Sequence, residues 1–170
     1  MLWFWKVPEK LPTEVIAVMA FPYRKILCPI DFDDNSLRAL DKAIEIARHF
    51  GAAVALVHAV PLVVQFGDVP IPVDLYEEQE KAARAKLGEI VGQKLGGVEH
   101  ESVVYTGDVV GSILRAVEKF KPDLLVMATH GRSGLAHFFL GSVAEGVVRK
   151  ASCPVLTIRS EGPAERASKG

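Results

Sequence analysis

Short apolar runs and stretches of helical periodicity alternate from residue 25 to residue 159, and few folds accommodate such an alternation. The apolar runs are rich in β-branched residues and read KILCPI, AVALVHAV, ESVVYT, DLLVMA and PVLTIR. In the stretch after the first run, Leu37 and Leu40 fall on one helical face and Gly51 supplies the end. Continuously apolar strands joined by helices predict an α/β domain with a five-stranded parallel sheet and helices on both faces.

The other three helices are placed by their periodicity and by the residues that interrupt it. One is predicted from about Leu75 to Leu95, after a connection that contains prolines. Another covers 107–120 and must end before Pro122, and the last covers 142–151.

The chain length of 170 residues suits a single domain, which we assign to residues 23–160. An N-terminal extension at 1–22 precedes this domain, and a flexible tail at 161–170 follows it. The apolar run Val15–Phe21 is too short to cross a membrane and lacks the basic leader of a signal peptide. No membrane contact is therefore predicted.

Charge and cysteine content narrow the partners and the compartment. The formal net charge is -1 and no long Lys/Arg block occurs, so nucleic acid is not expected as a partner. The two cysteines, Cys28 and Cys153, form no CxxC motif, which favours neither a disulfide scaffold nor a zinc site. A reducing cytoplasm is the expected location.

Parallel sheets bind ligands beyond the carboxyl ends of their strands, where the strand order reverses. The sequences at those ends are PID, HAV, TGD and MATHG. None of the motifs GxxxxGK[ST], GxSxG and HExxH occurs, and no GxGxxG follows the first strand. A P-loop, a hydrolase elbow and a zinc protease are therefore not expected.

An aspartate pair follows the first strand and has two interpretations. Asp31 and Asp33 match the DxDx[TV] motif of haloacid-dehalogenase-type phosphatases, in which the first aspartate is the nucleophile. Asn35 replaces the Thr or Val of that motif, and no later acidic pair stands ready to hold Mg²⁺. Alternatively, Asp33, Asp34 and Asn35 cap a helix, where short acceptors satisfy free amides.

The glycines of the segment MATHGRSGLAHFFLGS suit phosphate binding. Gly131 follows the fourth strand, and Gly141 with Ser142 opens the last helix. Amides exposed on a loop and at a helix N-terminus form a nest for phosphates, and glycine permits positive φ and close approach. The alternative is plain capping, with Ser142 and Glu145 forming a capping box.

Two segments resemble the universal stress protein family. RKILCPIDFDDNSLRALDKAIEIA is similar to its N-terminal signature, and MATHGRSGLAHFFLGSVAEGVVRKASCPVLTIR is similar to its C-terminal one. The resemblance covers about residues 23–159 and implies the strand order 3-2-1-4-5. Many members of the family bind ATP through the pattern G-x2-G-x9-G-[ST]. Gly131, Gly141 and Ser142 match this pattern, and Ala128 stands in place of its first glycine.

The resemblance also implies which residues hold the nucleotide. Asp31 would accept a hydrogen bond from the adenine amino group, although helix capping is the alternative role. The other implied contacts are Pro29, Ile30, Ala59 and Val60 at the base and ribose, flanked by Met127 and Ala128, and Gly131, Arg132, Gly141, Ser142 and Val143 toward the phosphates. Arg132 is equally compatible with a solvated loop. No catalytic residue is assigned, since His58 and His130 lack a Ser or Cys partner at recognisable spacing and are interpreted as structural.

The function implied by this resemblance is that of a cytoplasmic, nucleotide-responsive stress regulator or chaperone-like protein. It would bind ATP, with Mg²⁺, and a protein partner that the sequence does not identify. Family members usually form homodimers in which strand five pairs antiparallel with its mate, which would protect the apolar edge PVLTI. The alternatives are a nucleotide-free dimeric interaction module and a magnesium-dependent phosphatase.

Overall fold

The computed structural model describes residues 22–62, 73–129 and 140–159. In chain order its elements are β1 (Lys25–Pro29), α1 (Asp34–Phe50), β2 (Ala53–Val60), α2 (Val73–Lys94), β3 (His100–Thr106), α3 (Val109–Phe120), β4 (Leu124–Ala128), α4 (Ser142–Lys150) and β5 (Val155–Ile158). All five predicted strands are present, and the predicted helix from Leu75 to Leu95 begins and ends slightly earlier than expected.

The strands form one parallel sheet in the order β3-β2-β1-β4-β5, which confirms the predicted fold. Strand β1 lies at its centre and pairs with β2 from Lys25 opposite Ala53 to Pro29 opposite Val57. On its other side β1 pairs with β4. The chain thus winds outward in both directions from β1, and the order reverses between β1 and β4, where connections diverge and open a crevice.

Helix α1 begins and ends where its capping residues stand. The carboxylate of Asp33, its N-cap, accepts a hydrogen bond from the Ser36 amide at 2.7 Å. Gly51 is the C-cap with φ of 67°, a left-handed conformation that glycine adopts without strain. The capping interpretation of Asp33 is confirmed. Its carboxylate therefore serves the start of the helix.

The core consists of two apolar layers, one on each face of the sheet. Ile26 and Cys28 of β1 point into the layer beneath α1 and α2, and Leu27 points into the layer beneath α3 and α4. All three side chains are fully buried, and complete burial of a leucine or isoleucine contributes about 1.5–3 kcal/mol. Burial on both faces explains why the strands read as continuous apolar runs.

The two cysteines belong to opposite layers. Cys28 lies in the first layer, whereas Cys153 packs against the second, and both thiols are free. Burial, and then the Asp41 carboxylate, raises the pKa of the Cys28 thiol far above its ordinary value. Burial, and then the Asp123 carboxylate, raises the pKa of the Cys153 thiol. The interposed strand β4 keeps the two thiols apart.

The outer strands β3 and β5 each have one neighbouring strand within the described sheet. On β5 Leu156 is 39% exposed, which is unusual for a leucine in a buried-sheet fold. No helix in the described ranges combines the length and apolarity needed to cross a bilayer. The predicted N-terminal extension and tail lie, apart from Pro22, outside the described residues and stay predictions.

Candidate functional site

A cavity of about 790 Å³ opens beyond the carboxyl ends of β1, β2 and β4. Its position is the crevice where the strand order reverses, and its size falls within the usual range for ligand pockets, roughly 300–1,000 Å³. Ten of the twelve nucleotide-binding residues implied by the sequence border it: Pro29, Ile30, Asp31, Ala59, Val60, Met127, Ala128, Gly141, Ser142 and Val143. The other two, Gly131 and Arg132, lie outside the described residues, as does His130.

The end of β1 contributes an apolar edge followed by a carboxylate. The amide of Ile30 donates to the carbonyl of Val57 at 2.8 Å, so β1 stays joined to β2 up to the cavity. The Asp31 carboxylate accepts from the Asp33 amide at 3.1 Å, and the Asp31 amide donates to the Ser36 hydroxyl at 3.3 Å. Asp31 is therefore held in the turn that precedes α1. The helix cap itself is Asp33, so the capping role does not fall to Asp31.

The end of β2 contributes Ala59 and Val60 to the cavity. His58, which precedes them on the same strand, contacts the backbone just after the end of β1. The Nδ1 atom of His58 lies 2.7 Å from the carbonyl oxygen of Ile30, which makes Nδ1 the donor because a carbonyl only accepts. The ring packs against Phe32, with ring centroids 4.3 Å apart. These contacts agree with the structural interpretation of His58, although the side chain also borders the cavity.

The end of β4 meets the start of α4 on the other side of the crevice. Ala128 is half-buried and pairs with Ile158 of β5. One residue later, the carbonyl of Thr129 accepts from the amide of Gly141 at 2.9 Å. This bond closes the base of the long connection and places the first residues of α4 beside β4.

The predicted capping box at α4 is wrong. Gly141, with φ of -60° and ψ of 152°, is the N-cap, so Ser142 is already the first helical residue. Glu145 instead accepts from the Arg149 guanidinium at 2.7 Å. The value of φ also shows that Gly141 does not use the left-handed region, so of the two expected advantages of glycine only close approach applies here.

The amides at the start of α4 border the cavity without serving the helix ladder. The first ladder bond runs from the Glu145 amide to the Gly141 carbonyl at 2.8 Å. Helix geometry leaves the amides of Ser142, Val143 and Ala144 without partners inside α4, and all three residues line the cavity. A helix N-terminus with such amides favours a negatively charged group.

Helix α2 forms a further wall of the cavity, which was not predicted from the sequences at the strand ends. Gln79, Ala82, Ala83 and Lys86 line the cavity and fall at i, i+3, i+4 and i+7, which is one face of the helix. Small and polar residues on the inward side of an otherwise packed helix are the signal that could have indicated this wall. Phe32, directly after Asp31, also lines the cavity and was not assigned to the site.

The charges of the site are few. Among the described residues that line the cavity, Asp31 and Lys86 carry the acidic and basic side chains. Next to Asp31, burial and the Asp31 carboxylate raise the pKa of Asp33, and the Ser36 amide opposes that shift. Within the described ranges no group of three or more His, Cys, Asp or Glu residues could hold a metal ion.

These features define a doubly wound α/β protein whose candidate ligand cavity lies at the topological switch point. The chain belongs to the universal stress protein family, because the sequence model described as "Universal stress protein family" matches residues 22–159. Universal stress protein MJ0531 of Methanocaldococcus jannaschii is 36% identical over 143 residues, which cover 81% of this chain and 82% of that protein. Universal stress protein A homolog 2 of Coxiella burnetii is 32% identical, covering 82% and 97%.

Solved structures share the same fold. The hypothetical protein MJ0577 superimposes with a TM-score of 0.70 at 23% identity, covering 82% of this chain and 98% of that one. A universal stress protein in complex with cAMP gives a TM-score of 0.62 at 25% identity, covering 82% and 98%. The universal stress protein of Archaeoglobus fulgidus in complex with dAMP gives 0.55 at 27% identity, covering 80% and 98%.

Proposed function

We propose that this protein binds ATP in the cavity beyond β1, β2 and β4 and acts as a nucleotide-responsive regulator or chaperone-like dimer. The observation that carries this proposal is the convergence of residues. All ten of the implied binding residues that the structure describes border one cavity, although they come from three strand ends and a helix start.

The chemistry of the cavity suits an adenine nucleotide. A planar base requires apolar walls, which Ile30, Val60 and Met127 provide, and a fixed polar group, which Asp31 provides as an acceptor for the adenine amino group. The amides at the start of α4 are suited to phosphate. Mg²⁺ usually enters such sites on the phosphates themselves, so a bound triphosphate could bring it without a cage of protein carboxylates.

The related complexes support the adenine part of this proposal. The two neighbours described above were solved with cAMP and with dAMP, and both ligands are adenine nucleotides with one phosphate. ATP differs from dAMP in its longer phosphate chain and its 2′ hydroxyl, and from cAMP in carrying an open triphosphate in place of the cyclic 3′,5′ phosphate. The proposal therefore extends the ligand class of these neighbours toward the phosphate nest at α4.

The test begins with mass spectrometry of nucleotide released from purified, denatured protein, followed by calorimetric titration of the emptied protein with ATP. Asp31→Asn should weaken ATP binding by about tenfold or more, because a hydrogen bond to a charged group contributes about 1.5–3 kcal/mol. Asp34→Asn is the matched control, since Asp34 is exposed on α1 and does not line the cavity. Failure of the wild-type protein to bind ATP contradicts the proposal and favours the nucleotide-free interaction module.

The dimer in this proposal forms through β5. The outer edge of β5 has no neighbouring strand among the described residues, and its exposed Leu156 adds apolar surface. An unpaired strand edge of this kind is a template for another strand, and pairing across a two-fold axis satisfies both copies.

A further inference from the structure

Lys86 brings a positive charge to the wall that helix α2 forms. Its Nζ atom lies 4.7 Å from the centroid of the Phe32 ring, within the range of a cation–π contact. Lys86 is exposed and forms no ion pair with any residue that the structure describes. The charge is thus held at the cavity wall by an aromatic face and is not neutralised there by a described carboxylate.

Phe32 adopts a strained conformation to provide that aromatic face. Its φ is 69°, in the left-handed region that residues other than glycine, Asn and Asp rarely occupy. The ring lies against His58 and beneath Lys86, and its centroid is 4.3 Å from that of His58. Strain maintained beside a ligand cavity indicates that the position of this ring serves the ligand.

Lys86 and the start of α4 approach the cavity from opposite faces of the sheet. Helix α2 packs on β2 and β3 in the layer that contains Ala83 and Leu87. Helix α4 packs in the other layer through Ala144 and Val147. The Lys86 ammonium and the amides at the start of α4 both attract anions, and they therefore stand at different ends of one cavity. When the phosphate chain of a nucleotide lies at α4, Lys86 is left at the end that is assigned to the base and ribose.

Adenosine carries no charge at that end, so ATP alone gives the Lys86 ammonium no anionic partner. A phosphate on the ribose would supply one. We propose that Lys86, positioned by Phe32, binds a second phosphate on the 2′ or 3′ oxygen of the ribose. The cavity then prefers adenine nucleotides that carry one phosphate on the 5′ oxygen and another on the 2′ or 3′ oxygen. This inference rests on the proposed function, because it requires the 5′ phosphate to lie at α4.

The experiment compares three ligands by calorimetric titration: adenosine 5′-monophosphate, adenosine 3′,5′-bisphosphate and adenosine 2′,5′-bisphosphate. In the wild-type protein, one bisphosphate should bind roughly tenfold or more tightly than the monophosphate, the effect of one charge-assisted contact. Lys86→Met keeps the aliphatic stem and removes the charge, so it should bring this ratio close to one. The bisphosphate that is preferred identifies the ribose oxygen.

Two further variants make the result specific. Lys81→Met removes a lysine from the exposed side of the same helix, away from the cavity, and should leave the ratio unchanged. Phe32→Leu leaves Lys86 in place but removes the aromatic face, and should lower the ratio without abolishing monophosphate binding. That pattern separates a positioning role from a general loss of structure.

The outcomes distinguish this inference from the proposed function. If the monophosphate binds but neither bisphosphate is preferred, or if the preference survives Lys86→Met, the role of Lys86 is overturned and nucleotide binding stands. If none of the three ligands nor ATP binds to the folded wild-type protein, both proposals are wrong.

Discussion

At the scale of single residues, side chains near the cavity serve the fold and the candidate site together. His58 joins β2 to the backbone just after β1 and also packs against the Phe32 ring, and Asp31 holds the turn before α1 while it borders the cavity. Glu80 has a comparable role on α2, one residue after Gln79 of the cavity wall. The Thr106 hydroxyl donates to its Oε1 at 2.6 Å, which anchors α2 to the end of β3.

The anchor between Glu80 and Thr106 should depend on pH. The Thr106 hydroxyl, and then the Arg84 guanidinium, lowers the pKa of Glu80 below its ordinary 4.5. The unfolded chain then binds more protons at acidic pH, so this stabilisation is present above about pH 4.5 and is lost as the pH falls through the lower folded value. Thr106→Val should reduce the free energy of unfolding by up to about 1 kcal/mol at pH 7 and by less at pH 3, as measured by urea unfolding.

Ser102→Ala on the exposed part of the same strand is the control for Thr106→Val. It should cost little at either pH, since Ser102 is exposed. A loss of stability in Thr106→Val that is equal at pH 7 and pH 3 would show that the Glu80 carboxylate is not the partner that matters.

At the scale of elements, β5 shows what the hydrogen-bond pattern adds to the sequence. The carbonyls of Pro154 and Ile158 accept from the amides of Leu125 on β4 and of Thr129, which directly follows β4. The N–H and C=O of a strand residue point to the same edge and alternate along the strand. The amides of Val155 and Thr157 therefore point to the outer edge, away from β4.

A single proline on β5 should consequently distinguish the dimer seam from the internal ladder. Thr157→Pro removes an outward amide, so we expect a folded protein whose dimer is weakened or lost in multi-angle light scattering. Ile158→Pro is the matched control, because its amide points toward β4 and its loss should lower the melting temperature instead. A wild-type protein that is monomeric at micromolar concentration, or a folded Thr157→Pro dimer as stable as the wild type, excludes β5 as the seam.

At the scale of the whole molecule, the strand order governs which distant residues can meet. It brings the ends of β1, β2 and β4 to one crevice, and it separates Cys28 from Cys153 by strand β4 and by the plane of the sheet. Neighbouring strands lie about 4.8 Å apart, so two steps exceed the roughly 7 Å between Cα atoms that a disulfide can span.

Oxidation of the folded protein should therefore produce no intramolecular disulfide. A peptide map under non-reducing conditions should show Cys28 and Cys153 unlinked within one chain. Maleimide should modify Cys153 before Cys28, because Cys28 is fully buried and its pKa is raised further from the working pH. Detection of a Cys28–Cys153 link within one folded chain would contradict the strand order itself.

The local elements were predictable because their signals are local. Apolar runs mark the strands, Asp33 and Gly51 mark the ends of α1, and Pro122 limits α3, since each acts through neighbours a few residues away. The start of α4 at Ser142 was predicted correctly, but the capping-box alternative placed the N-cap at Ser142 and not at Gly141, because Ser142 and Glu145 have the spacing of a capping box. The Thr129 carbonyl, which determines where the chain enters α4, is distant in sequence.

For this protein the sequence alone determined the succession of strands and helices and the motifs that indicate its family, because periodicity, caps and short motifs are properties of neighbouring residues. Only the tertiary structure determined that α2 forms a wall of the cavity. Lys86 stands over fifty residues from Phe32, and no local pattern records that packing of α2 on β2 and β3 brings the ammonium onto that ring. Contacts between distant residues depend on how complete elements pack. The part of the cavity that Lys86 and α2 line could therefore be identified only from the folded chain.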